Sequence, residues 1–95
     1  MTRAPAEEIS LQQLRALAAV AETGSFTLAA EALQLTQPAI SHLIKRLEEE
    51  LAQPLVVRGR RIRMTNAGQM MVDTAVRALR LIDDSVGACR SQSQL

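Results

Sequence analysis

The stretch that most limits the fold is GSFTLAAEALQLTQPAISHLIKRLEEEL, residues 24–51. It reads as two helices joined by a turn of at most four residues, 34–37, so the two must meet at an angle and pack together. Ser25 can cap the first of them, with Phe26, Ala29, Ala30 and Leu33 turned inward. The paired alanines leave room for another helix to cross closely. In the second, Thr36 is the N-cap, and Pro38 falls in the first turn, where its missing N–H costs nothing. Ile40, Ile44, Leu47 and Leu51 follow at i, i+4, i+7 and i+11, and the helix ends before Pro54.

The rest of the chain fits around this pair. Only one of 95 residues is aromatic, Phe26, so Leu, Ala, Ile, Val and Met must fill a single modest core, which favours helices over a β-sandwich. Residues 1–9 are polar, carry Pro5 and read as a loose arm. Ser10 and Gln13 form a capping box, after which Leu11, Leu14, Leu17, Ala18 and Ala21 share one face as far as Gly24. Beyond Pro54, two β-prone runs, 55–58 and 61–64, flank Gly59-Arg60 and predict a hairpin with a tight turn. Thr65 caps a last helix reaching about residue 90, and SQSQL frays off as a tail. On that helix Val72, Ala75, Leu79, Ile82, Val86 and Cys89 step by 3, 4, 3, 4 and 3, a heptad seam suited to pairing with a second chain. The expected architecture is mainly α: a winged helix-turn-helix over residues 1–65, with three helices and a two-stranded wing, then a long dimerisation helix over 66–95.

The charge pattern points to a partner. The formal net charge is only +1, yet residues 55–65 hold four arginines (Arg58, Arg60, Arg61, Arg63) and no acid. Like charges so close repel until something anionic arrives, and a phosphate backbone supplies the countercharge. The third helix reverses the usual order of charges, which places acids early and bases late to suit the backbone dipole. It opens on Gln37, Ser41, His42 and Lys45, and crowds Glu48, Glu49 and Glu50 at its far end. That order suits a helix whose N-terminus enters a major groove, with Gln37, Ser41 and His42 offering hydrogen bonds and Lys45 reaching a phosphate. Lys45–Glu49 and Arg46–Glu50 then pair at i,i+4 and partly offset the misplaced acids. A helical hairpin with a basic loop also serves as plain scaffolding or as a dock for an acidic protein. A protein-interaction or dimerisation module therefore stands as the rival reading.

Other chemistry has little to stand on. His42 is the only histidine, and no Cys, Asp or Glu lies at ligand spacing on its face, so no metal site is expected. No hydroxyl is paired with a base, the four glycines are isolated, and neither an enzyme nor a cofactor is expected. Cys89 is the single cysteine, so no internal disulfide can form, and its place on the seam predicts buried packing. No apolar run approaches a membrane span and the N-terminus lacks a signal-peptide pattern, which together suit a cytoplasmic protein.

The order GSFT, paired alanines, TQPA-S, a leucine–acid run and an Arg-rich hairpin closing in T-x-A-G resembles the N-terminal domain of LysR-type transcriptional regulators. The resemblance runs from about Leu11 through the last helix. It implies a sequence-specific DNA-binding domain whose third helix reads the major groove and whose wing tip reaches the neighbouring minor groove. It implies that the last helix is the family's linker helix, joining two chains on dyad-symmetric double-stranded DNA. Higher oligomers would need the effector domain. By the same resemblance Thr36, Gln37, Pro38, Ser41 and His42 fall where the family touches bases or nearby phosphates. Ser25 and Thr27 fall where its second helix approaches the backbone, and Arg58, Arg60 and Arg61 fall on the wing. The sequence departs from the pattern in four details: His42 replaces a common arginine, Ala52 a glycine, Val56 a phenylalanine, and the wing is one residue shorter. With no effector domain after the last helix, the chain is expected to be either an excised fragment or a stand-alone form, and the abrupt polar tail inclines towards a fragment.

Overall fold

The computed structural model describes residues 8–92. Four helices and a two-stranded sheet follow in the order α1 (Leu11–Thr23), α2 (Phe26–Leu33), α3 (Gln37–Leu51), β1 (Val56–Val57), β2 (Arg63–Met64) and α4 (Asn66–Gln92). Of the expected loose arm, residues 1–7 lie outside the described part, and Ile9 is already packed against the core. The last helix continues to Gln92, and only residues 93–95 of the expected tail lie outside.

Local chemistry sets the helix starts. Ser10 and Gln13 exchange hydrogen bonds of 3.1 and 2.9 Å, Ser25 Oγ accepts from Leu28 N–H, and Thr36 Oγ1 accepts from Ala39 N–H. Thr65 Oγ1 accepts from Gly68 N–H and donates to the Pro54 carbonyl, tying the start of α4 to the entry of the wing. The first three helices all stop on a left-handed residue: Gly24, then Gln34 (φ 56°) and Ala52 (φ 54°).

Three helices wrap α1, and for that reason α1 buries more than one stripe. Ala16, Leu17, Ala19 and Val20 are buried together with Leu14, whereas Leu11, expected inside, is exposed. Phe26, Ala29 and Ala30 from α2 and Ile40, Ile44 and Leu47 from α3 close the same core, as their spacing predicts. Leu55 is fully buried too, and every group on it is used. Its side chain plugs the core, its N–H donates to Glu48 Oε2 at 2.8 Å, and its carbonyl accepts from Thr65 N–H at 3.0 Å. Gly68 crosses directly over it. A Cβ on Gly68 would overlap the Leu55 carbonyl oxygen and lie 2.9 Å from its carbon.

The wing differs from its expected form. The strands pair antiparallel with Val56 opposite Met64 and Val57 opposite Arg63, leaving a five-residue loop, 58–62, rather than a tight turn on Gly59-Arg60. Among the described glycines only Gly24 has a positive φ, so Gly59 does not adopt a tight-hairpin conformation. A tight turn would also set Arg58 beside Arg61, a pairing of like charges. Instead, Arg58 leaves the ladder for partners on the helices.

Candidate nucleic-acid interface

Ile40, Ile44 and Leu47 root α3 in the core, which forces its other face outward. Gln37, Pro38, His42 and Lys45 are exposed there and Ser41 is half-buried, while Thr36 is exposed at the cap. Neither α2 nor α3 has an acid in its first turn, so the positive end of each backbone dipole stands without a competing carboxylate.

Two polar side chains on this face are steered from other elements. Thr27 Oγ1, on α2, donates to Gln37 Oε1 at 3.3 Å. An Arg58 guanidinium N–H, from the wing, donates to Ser41 Oγ at 3.4 Å. The same guanidinium lies 4.3 Å from the centre of the Phe26 ring. Ser25, Thr27, Gln37, Arg58 and Arg60 consequently line one open cleft of about 300 Å³ between α2, α3 and the wing. Arg61 faces a different hollow, shared with Glu22, Thr23 and Gly24.

The acids of α3 are drawn elsewhere. Glu48 Oε2 also accepts from Val56 N–H at 3.3 Å, so this carboxylate staples the wing to the helix end. Arg46 reaches both Glu49 (4.0 Å) and Glu50 (3.7 Å), taking the partner expected for Lys45. Lys45, His42, Arg60, Arg61 and Arg63 are exposed, and none makes an ion pair within the described residues. The lysine and the three arginines lie on the outward face of α3 and on the wing, with no neutralising group among the described residues. That combination attracts a polyanion.

A model of bacterial regulatory helix-turn-helix proteins of the lysR family matches residues 11–69. The chain belongs to this family. The matched span holds α1, α2, α3, both strands of the wing and the first residues of α4. Over 78 residues it is 46% identical to an HTH-type transcriptional regulator in the ibpB-leuC intergenic region of Azotobacter vinelandii, covering 81% of this chain and 54% of the relative. It is also 46% identical over 67 residues to the HTH-type transcriptional activator CmpR of Synechocystis, covering 70% of this chain and 22% of that protein. The chain thus spans about half of one LysR-family relative and under a quarter of the other. Among solved structures it resembles the BenM DNA-binding domain in complex with catB site 1 DNA, with a TM-score of 0.82 at 37% identity over 86% of this chain and 92% of that one. The CbnR DNA-binding domain in its DNA complex gives 0.79 at 34% identity, over 88% of this chain and 98% of that one.

The seam on α4 is divided. Val72, Ala75 and Leu79 are buried, Val72 in the main core and the other two against Leu14 of α1, so they are not free to meet a second chain. Ile82 is half-buried, and Val86 and Cys89 are exposed in the single chain. Periodicity alone marks all six as apolar positions and cannot say which helix covers them. Phe26 and Glu48 were legible only as a core residue and a displaced acid. Their use, as a plate under Arg58 and a staple for β1, depends on tertiary contacts. No helix among the described residues is long and apolar enough to cross a membrane, and no group of three or more His, Cys, Asp or Glu could hold a metal.

Proposed function

We propose that this chain binds double-stranded DNA sequence-specifically, as the DNA-binding part of a cytoplasmic transcriptional regulator, and that its role is recognition rather than catalysis. The observation that carries the reading is the unneutralised polar and cationic face built by the start of α3 and the wing. In this reading α3 enters the major groove. Gln37, Ser41 and His42 meet base edges, Thr36 and Pro38 lie close to them, and Lys45 meets a phosphate. Ser25 and Thr27 approach the backbone from the start of α2, while Arg60 and Arg61 follow the wing to the minor groove. Two copies join through α4, chiefly by Ile82, Val86 and Cys89, and present two recognition helices to a dyad-symmetric site.

Fluorescence anisotropy on a duplex carrying the dyad upstream of the protein's own gene, against the same bases scrambled, tests this over a range of salt. Tighter binding to the native duplex is expected, with log affinity falling linearly against log salt. Gln37→Ala should reduce the difference between the two duplexes by roughly tenfold, and Arg60→Ala should weaken both alike and lower the salt slope by about one unit. Equal effects of the two variants would refute the division between reading and holding. No binding to either duplex at low salt would favour a protein-interaction module.

A further inference from the structure

Of the wing arginines, Arg58 is the one whose guanidinium has partners among the described residues. One face lies over Phe26 and one N–H is committed to Ser41. Phe26 is buried, and so gives the guanidinium a fixed plate, unlike the mobile surface under most exposed arginines. Arg58 also directly follows β1, at the point where the backbone leaves the ladder for the five-residue loop. One side chain therefore ties the root of the wing to the start of α2 and to the outward face of α3. The bond to Ser41 has a further effect. A hydroxyl has one hydrogen and two lone pairs, and with Arg58 on one lone pair its rotation is restricted while the hydrogen and the second lone pair remain for other partners.

We propose that Arg58 is a positioning residue for DNA recognition: it braces the wing against Phe26 and orients the Ser41 hydroxyl, leaving phosphate contact to Arg60 and Arg61. This rests on the DNA-binding reading above. The role needs a planar guanidinium that stacks and donates at once, which a lysine cannot reproduce, whereas a phosphate contact needs only positive charge.

The test uses Arg58→Lys, Arg58→Ala and the Ser41→Ala/Arg58→Ala pair, on the same native and scrambled duplexes over a salt series. Hydrogen exchange of the amides of residues 56–64 is followed in the free proteins alongside. Both Arg58 variants should lower the native-to-scrambled ratio by about fivefold without changing the salt slope, and adding Arg58→Ala to Ser41→Ala should lower it much less. Wing amides should exchange faster in both variants before any DNA is added. Full rescue by Arg58→Lys, with a slope about one unit lower in Arg58→Ala, would make Arg58 a phosphate contact and overturn the proposal. If the unaltered chain fails to distinguish the duplexes, the DNA-binding reading fails. The brace is then judged by exchange alone, and unchanged wing amides in Arg58→Ala would sink it.

Discussion

Helices α3 and α4 are both amphipathic, and they differ in what their own chain leaves uncovered. The stripe of α3 is spent on the core, since Ile40, Ile44 and Leu47 have no exposed surface and Leu51 packs half-buried beside them. What remains outside is polar and cationic. On α4 the apolar seam outruns its cover. Val72, Ala75 and Leu79 are buried, but Ile82 is only half-buried and Val86 keeps 40% of its surface. A 27-residue helix is about 40 Å long, well beyond the 13-residue α1 on which its first half lies. One helix is thus finished as a fold element and offers a polar face, whereas the other is half fold element and half unpaired apolar surface. The first suits a nucleic acid, the second another helix of its kind.

The most severe way to break this comparison is to lift the packed half of α4 off the domain. Gly68→Ala drives a methyl group into the Leu55 carbonyl, where backbone must move and no flexible side chain can give way. Leu55 also anchors the wing, so both regions should fail together. The expected loss is about 3 kcal/mol or more, the upper end for overpacking, read as the urea midpoint or as absence of a cooperative transition. A loss under about 1 kcal/mol would mean that α4 and the wing do not depend on that close crossing.

The division of α4 is sharpened by two substitutions on the same seam. Leu79→Ala removes a side chain packed on Leu14 and Ala75, and should cost about 2 kcal/mol of stability at any protein concentration. Val86→Gln replaces an exposed side chain with a good helix former, and should change the stability of the single chain by less than about 0.5 kcal/mol. Its effect should instead appear in sedimentation equilibrium, as self-association weakened by about tenfold, or roughly 1.4 kcal/mol. If Val86→Gln leaves association unchanged, the pairing surface lies elsewhere on α4. The Arg15–Asp83 bridge at 3.5 Å is too exposed to hold the second half in place by itself.

What could be read from the sequence divides in the same way. Helix starts at Ser10, Ser25, Thr36 and Thr65 depend on a side chain and an amide three residues on, and sequence spacing carries that fully. The stripe of α3 was legible because one face of it meets the core. α1 was misread because α2, α3 and α4 surround it, so that Val20 is buried and Leu11 is not. On α4 the heptad spacing was correct, but the partner of its first half is α1. Most of the candidate interface was visible as residue types. Its wiring was not: Arg58 to Ser41, Thr27 to Gln37 and Glu48 to Leu55 join residues 17, 10 and 7 positions apart. The hairpin motif hid these contacts by suggesting a tight turn, in which Arg58 would have been a strand residue.

The smallest expected effect concerns how α3 is closed off while α4 runs on. Ala52 takes the left-handed conformation at the end of α3, where its N–H donates to the Glu49 carbonyl at 3.2 Å and that of Gln53 to the Glu48 carbonyl at 3.1 Å. The geometry is that of a Schellman end, in which glycine escapes the Cβ–carbonyl crowding that alanine suffers. Ala52→Gly should therefore stabilise the domain by up to about 1 kcal/mol, raising Tm by roughly 5 °C, even though glycine also loosens the unfolded chain. The end of α3 matters for the interface because it aims Glu48 at the Leu55 and Val56 amides, and through them sets where the wing begins. A glycine that keeps this geometry should raise stability and leave the native-to-scrambled binding ratio unchanged. If the ratio falls while Tm rises, the strained alanine is tuning the wing, and the closure of α3 belongs to recognition as well as to the fold.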